Sequence, residues 1–390
     1  MRVLQIYSKQ RIKMRKQIYL DNAATTPIDK EVLKEMLPFL KNKFGNPSSF
    51  HSLGEEAKKA IEDARKRVAK LINAKPEEII FTSGGTEANN LALKCFQSKK
   101  VIASSIEHAA VLETAKFLNN QGKPVEIIPV DKNGIIDIDE LGKKISKNSL
   151  VSIMHVNNEI GTIQPIEEIS KLCKQKGAFF HTDAVQSLGK LKIDVEKIGI
   201  DMLSGSGHKI NAPKGIGFLY IRKNLKDRLA PLIHGGGQEF GFRSGTENVA
   251  GIVGLGKACE LADRNMKHSF RLKNLRDYMI KKLLKIQGVK INGSLDKRVL
   301  NNINLAVSGV EGEALVLMLD SKGVAVSTAS ACTSLLHKHS HVLEAIGLSI
   351  DEIHSSIRIS LGWQNNKKEI DYAIKTIKSC IEKLRKISMV

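Results

Sequence analysis

Short runs of Ile, Val and Phe alternate with longer amphipathic stretches from about residue 31 to residue 265. EEIIFTS at 77–83 leads through a Gly-Gly turn into TEANNLALKCF, and KVIASSI at 100–106 leads into EHAAVLETAKFL. LVSIMHV at 150–156 precedes NNEIGT and the helical period of PIEEISKLCKQKG; AFFHTDAV (178–185), DMLSGSGHK (201–209) and GIGFLYI (215–221) complete the series. Strand-like runs separated by helical periods predict an α/β domain on a largely parallel sheet. Ligands of such sheets bind beyond the carboxyl ends of the strands, so the polar residues just after each run are the candidates for chemistry.

The texture changes after the helix-like RLKNLRDYMIKKLLKI at 271–286. INGS, NNINLAVSGV, EGEALVLMLDSKG, a cysteine-bearing loop, SIRISLG and a final amphipathic helix predict a smaller α+β domain. The expected division is a large domain over 18–265 and a small domain formed by 1–17 and 266–390.

Composition narrows the class. The 390 residues are 42% hydrophobic and 26% charged, which excludes wholesale disorder, and no apolar run is long enough to span a bilayer. The opening MRVLQIYSKQRIKMRKQ has no apolar core of a secretory signal, and MRKQIYLDNAATTP makes Met14 an alternative start. Five cysteines lie far apart without a CxxC pair, which argues against a disulfide framework or a cysteine-pair zinc site and fits a reducing cytoplasm. The net charge of +20 is spread along amphipathic stretches whose charged faces are solvated surface, so a nucleic-acid partner is not expected.

The strand ends carry the chemistry. In SGSGHKINAPKG (204–215), Lys209 follows a strand and suits a covalent anchor through a Schiff base, with Ser206 and His208 placed to hold a neighbouring phosphate. In FTSGGTEANN (81–90), paired glycines open a helix whose N–H groups face an anion, and Thr86 adds a hydroxyl. This is neither a Walker A loop nor GxGxxG. HTDAVQ (181–186) sets Asp183 to keep a pyridine nitrogen protonated and Gln186 to bond a phenolic oxygen. HVNNEIGT supplies Asn158, and SSIEHAAV supplies His108. Each piece alone has an ordinary explanation as a turn, a helix cap or a structural histidine. All of them at the ends of one sheet's strands do not.

One cysteine stands apart. Cys332 lies in AVSTASACTS (325–334), a run of small residues that presents a side chain rather than buries it.

YLDNAATTP, FGNPSSFH, FTSGGTEANN, IEHAAVLET, MHVNNEIGTIQPI, HTDAVQSLGKLKIDV, HGGGQE, RSGTENVAGIVG, SASACTS and HSSIRISLG together resemble the pyridoxal-phosphate cysteine desulfurases of the NifS/IscS-like type, from about residue 18 to 380. The resemblance implies a type I transferase fold with a mostly parallel seven-stranded sheet, a homodimer, and sulfur transfer from L-cysteine with release of L-alanine. It makes Lys209 the cofactor's anchor and base. Gly85, Thr86, Ser206 and His208 become phosphate ligands, and Thr246 reaches the phosphate of the neighbouring subunit's pyridoxal 5'-phosphate. Asp183, Gln186 and Asn158 contact the ring, and His108 stacks on it and moves protons. Arg358, aided by Asn158, grips the substrate carboxylate through its planar fork. Cys332 becomes the mobile nucleophile that takes sulfur as a persulfide, and a candidate transient iron–sulfur ligand. An iron–sulfur scaffold protein or a carrier for tRNA thiolation is then the acceptor, and ACTS resembles the long-loop subgroup.

The chain departs from the family pattern in places. Gly205 replaces a common aromatic, Asn211–Ala212 a Tyr-Gly, Phe240 an Arg, and STASAC the more frequent SSGSAC. The loop after Cys332 carries His337, His339 and His341, read as a basic exposed loop or as residues that tune the persulfide or help hold iron. Two rivals make distinct predictions. An aminotransferase or selenocysteine lyase is the enzymatic one, and an aminotransferase does not need Cys332. A basic nucleic-acid-binding protein that kept the fold predicts salt-sensitive duplex binding and no cofactor.

Overall fold

The computed structural model describes residues 17–328 and 339–388. Its centre is a seven-stranded sheet in the order Ile79–Thr82, Gly217–Ile221, Met202–Ser206, Phe179–Asp183, Ser149–Ser152, Lys100–Ser104, Val125–Ile128. Only Gly217–Ile221 runs against its neighbours; the other pairings are parallel.

The apolar runs are continuous because both faces are covered. Successive side chains alternate between two cores. Ile79, Phe81, Ile102, Val151, Leu203 and Phe218 face the core packed by Val68 and Leu255. Ile80, Val101, Leu150, Met202 and Leu219 face the core packed by Leu91 and Phe96.

A second unit is built on a four-stranded antiparallel sheet in the order Ser327–Thr328, Ser356–Ser360, Asn302–Val307, Val289–Ile291. The helix Lys367–Ser388 covers it with Ile370, Ala373, Ile377, Cys380 and Ile381, all buried, a stripe at helical spacing. The helix Val249–Met266 packs into the first unit's core and the helix Ser269–Leu283 into the second's.

The start of the chain differs from the division expected at residue 18. Ile18–Tyr19 pairs in parallel with Val324–Ala325, and Ile18 and Leu20 enter the second core. Their alternate apolar side chains complete the smaller unit before the chain crosses over. The crossing segment is tied down where the Asn22 amide donates to Ser360 O at 2.9 Å and the Ala23 N–H to Ser360 Oγ at 2.8 Å. No described helix is long and apolar enough to cross a membrane.

Candidate active site

Five strand ends and one strand of the smaller sheet converge on a cavity of about 360 Å³. Asp183 and Ser206 terminate their strands, and Lys209 ends the single turn Gly207–Lys209 that follows. Gly85 and Thr86 open the helix Gly85–Cys95, His108 caps the helix Ala109–Asn120, and Asn158 follows the strand Ser149–Ser152. Arg358 comes from Ser356–Ser360. All of these line the cavity, as do Gln186 and His208.

The glycine turn is a compact anion cradle. No side chain caps Gly85–Cys95, so the positive end of its dipole faces the cavity. A Cβ at Gly85 would lie 2.8 Å from Val185 Cγ2, and one at Gly217 would meet Gly84 Cα at 2.6 Å. Any side chain there would prise the turn from the sheet. Beside it, His208 Nδ1 lies 3.1 Å from Thr25 Oγ1. Burial first, then Lys209, Lys214 and Lys190, push the His208 ring down to about 4, so it is neutral at ordinary pH.

Asp183 is buried and held on both oxygens. Asn89 Nδ2 donates to Oδ2 at 2.7 Å, and the Val185 N–H donates to Oδ1 at 2.9 Å. The sequence reading missed Asn89. Its signal was available: a poor helix former three residues after Thr86, on the same helix face. Asn89 Oδ1 is itself buried with no hydrogen-bond partner among the described residues. Gln186 Nε2 donates to Ala23 O at 3.0 Å.

His108 accepts the Ala110 N–H on Nδ1 at 3.1 Å, so a neutral ring carries its proton on Nε2. Burial lowers its pKa; Asp183 opposes that, while Lys209 and His341 add to it. The Lys209 ammonium group donates to Ala23 O at 2.6 Å and Ala24 O at 2.7 Å, on the segment crossing between the two units. Arg358 is aimed from behind: Nη2 donates to Asp21 Oδ1 at 3.0 Å and Nη1 to Asn158 O at 3.1 Å. Its Nε is buried without a partner among the described residues.

Cys332 and His337 lie outside the described residues. The chain on either side of that segment is anchored at the cavity rim. Ser327 is in register with Arg358, and beyond the segment Ser340 Oγ donates to Glu159 Oε2 at 2.5 Å. His341 Nε2 lies 2.9 Å from Glu107 O, and the His339 ring packs edge-on against His354 at 4.7 Å. Among the described residues no cluster of His, Cys, Asp or Glu is arranged to hold a metal ion. Thr246 is exposed and is not among the cavity's lining residues.

The departures from the family pattern have local explanations. A Cβ at Gly205 would meet the Phe218 ring at 2.3 Å, so an aromatic from the next strand fills that space. Asn211 sits at φ 69°, a conformation asparagine tolerates, and its amide donates to Pro27 O at 2.8 Å. Phe240 lies over the Arg65 guanidinium, 4.9 Å from it.

A lysine, a buried carboxylate and an uncapped helix start at the strand ends of a mostly parallel sheet agree with what the chain resembles. Residues 18–373 match the class-V aminotransferase family, and the chain belongs to it. Within that family it is 51% identical to the cysteine desulfurase IscS of Dictyoglomus turgidum (strain DSM 6724 / Z-1310), over 96% of this chain and 97% of that protein. Among solved structures, a NifS-like protein superposes with a TM-score of 0.88 at 40% identity, covering 94% of this chain and 99% of the other. SspA in complex with cysteine superposes with a TM-score of 0.78 at 40% identity, over 88% of this chain and 98% of that one.

Proposed function

We propose that this chain is a pyridoxal-phosphate-dependent cysteine desulfurase that moves sulfur from L-cysteine onto Cys332 and releases L-alanine. The observation that carries the reading is that Lys209, Asp183 and Arg358 line one cavity, with the chain flanking the Cys332 segment anchored at its rim.

The residues fit the cofactor. The cradle at Gly85, Thr86, Ser206 and His208 suits its phosphate, and the orphaned Asn89 Oδ1 marks a polar wall beside Asp183. Asp183 would pair with the pyridine nitrogen, Gln186 and Asn158 would contact the ring, and Lys209 would be the covalent anchor. Bound there, the cofactor supplies an electron sink for the substrate's α-carbon.

The chain's own groups do the rest. Arg358 takes the substrate carboxylate on a guanidinium already oriented by Asp21 and Asn158. The Lys209 amine would accept the α-proton, and His108 would shuttle protons nearby. The Cys332 thiolate bonds to the substrate sulfur while the Cβ–S bond breaks. One thiol and L-cysteine thus become a persulfide and L-alanine, with no outside oxidant. The persulfide sulfur then passes from Cys332 to an acceptor protein.

Thr246, exposed and away from this chain's cavity, suits the phosphate in a second copy, so the working unit is a homodimer. The acceptor is an iron–sulfur scaffold protein or a sulfur carrier, and the compartment is a reducing cytoplasm.

The test is alanine and sulfide release from L-cysteine with a reductant, for wild type and Cys332→Ala, while recording the cofactor spectrum. Turnover by wild type, with a variant that responds spectrally to cysteine yet releases no sulfide, supports the reading. Activity that survives in Cys332→Ala favours an aminotransferase, and two colourless, inert proteins sink the enzyme reading.

A further inference from the structure

Arg243 and Glu87 form an ion pair that the chemistry above does not use. Glu87 stands in the first turn of Gly85–Cys95, the helix whose uncapped start faces the site cavity. Its Oε2 accepts the Ser83 N–H at 2.9 Å, so the carboxylate is bonded to the glycine turn itself. Arg243, three residues before Thr246, donates from Nε to Glu87 Oε1 at 2.9 Å and from Nη2 to Oε2 at 3.4 Å. Burial pushes the Glu87 carboxyl up, but the bonds from Arg243 and Ser83 outweigh it and hold the group below the usual carboxylate range. It is therefore ionised at neutral pH.

A carboxylate at that place works against the site. The start of a helix carries about half a unit of positive charge, and an acid in the first turn draws on the same field that would hold a phosphate. The corner holds more acid besides. Ser83, Arg243, Glu239 and Glu247 line a cavity of about 50 Å³, and Arg243 is the only cation among its described lining residues. Glu239 is already paired with Arg65, at 2.8 and 2.9 Å. Glu247 Oε2 is buried without a partner among the described residues. Arg243 is thus the group that offsets Glu87.

We propose that Arg243 is a positioning residue for the cofactor's phosphate: it cancels the charge of Glu87, a carboxylate that holds the glycine turn in shape but alone would repel the phosphate. The two tasks are divided between the partners. Glu87 supplies geometry through the Ser83 N–H, and Arg243 removes the repulsion that this geometry brings with it.

The inference rests on reading the glycine turn as the phosphate's seat. The full chain, stripped of cofactor, is titrated with pyridoxal 5'-phosphate and with pyridoxal, which lacks the phosphate, and uptake is read by absorbance. Arg243→Leu should bind the phosphorylated compound roughly tenfold more weakly and pyridoxal as before. Glu87→Gln keeps an oxygen for the Ser83 N–H, so it should bind the phosphorylated compound at least as tightly as wild type. Glu87→Gln combined with Arg243→Leu should return close to wild type, because the stray charge is gone. A combined variant as weak as Arg243→Leu alone overturns the proposal, since Arg243 would then touch the phosphate or merely brace its loop. Equal losses for both compounds overturn it too. Melting curves establish that the variants fold. Should the Arg243 variants not fold, a Glu87→Gln that weakens binding of the phosphorylated compound overturns it alone. A wild type that takes up neither compound sinks the reading of the site itself, and this inference with it.

Discussion

Arg358 and Asp21 meet across the line between the two units, with Nη2 donating to Oδ1 at 3.0 Å. Asp21 lies on the crossing segment that also supplies the Ala23 and Ala24 carbonyls for Lys209. Arg358 and Lys209, the residues proposed to hold the substrate carboxylate and to act as base, are therefore indexed to one short piece of backbone.

Arg358→Lys should raise KM for L-cysteine ten- to a hundredfold, the loss of about 1.5–3 kcal/mol for a charge-assisted bond that a point charge cannot match. Asp21→Asn keeps the geometry but removes the counter-charge, so its KM should move less than that of Arg358→Lys. Steady-state kinetics over a range of cysteine concentrations separates the two. An unchanged KM in Arg358→Lys would remove Arg358 from the substrate site.

Asn89 offers a different split. Its 2.7 Å bond is one of two that hold the Asp183 carboxylate. Asn89→Ala should cost about 1–2 kcal/mol of that positioning, a roughly five- to thirtyfold fall in kcat with KM nearly constant. A fall confined to KM would place Asn89 against the substrate rather than behind Asp183.

Much of this arrangement was legible along the chain because it follows from local rules. Buried parallel strands read as unbroken apolar runs, and among the residues after them Lys209, Asp183, His108 and Gly85 fall on one cavity. What stayed hidden are partnerships made only by folding. Asn89 shares a helix face with Thr86, but its partner Asp183, like Asp21's partner Arg358, lies across a long stretch of chain that no periodicity marks. Phe218 filling the space above Gly205 is likewise invisible in either segment alone. The assignment of Ile18 and Leu20 to the second core depends on a two-residue strand, too short to give a pattern.

Arg65 and Glu239 form a buried bidentate pair at 2.8 and 2.9 Å, and Glu239 Oε2 also accepts the Phe81 N–H at 2.7 Å. The Arg65 guanidinium lies between the rings of Phe81 and Phe240. Glu239→Gln would leave that cation with Glu62, 3.1 Å from Nε and nearer the surface, as its remaining counter-charge, so stability should fall by about 2–4 kcal/mol. Phe240→Ala should cost less, about 1–2 kcal/mol for its cation–π contacts with Arg65 and Lys226. Urea denaturation midpoints rank them, and the reverse order would mean that ring packing, not charge, holds this corner.

Glu107 should make stability depend on pH in the alkaline direction. Its carboxyl is fully buried, accepts the Met154 N–H at 3.0 Å, and shares a 2.5 Å hydrogen bond with Ser104 Oγ. Burial, with the nearby Asp183 charge adding to it against the hydrogen bonds, pushes its pKa up from 4.5 to about 8. Between those two values the unfolded chain releases the proton and the folded chain keeps it. The contribution is therefore whole below pH 4.5 and is lost as pH rises, by at most about 1.4 kcal/mol per unit, until pH 8. Glu107→Gln cannot ionise, so relative to wild type it should gain stability steadily from pH 5 to pH 8 and level off above. Buried histidines such as His181 titrate alike in both proteins and cancel in the difference. Melting temperatures of the two proteins across that range measure it. Parallel curves would mean that Glu107 is already ionised in the fold, with the Ser104 hydroxyl and the Met154 N–H as its stabilising donors.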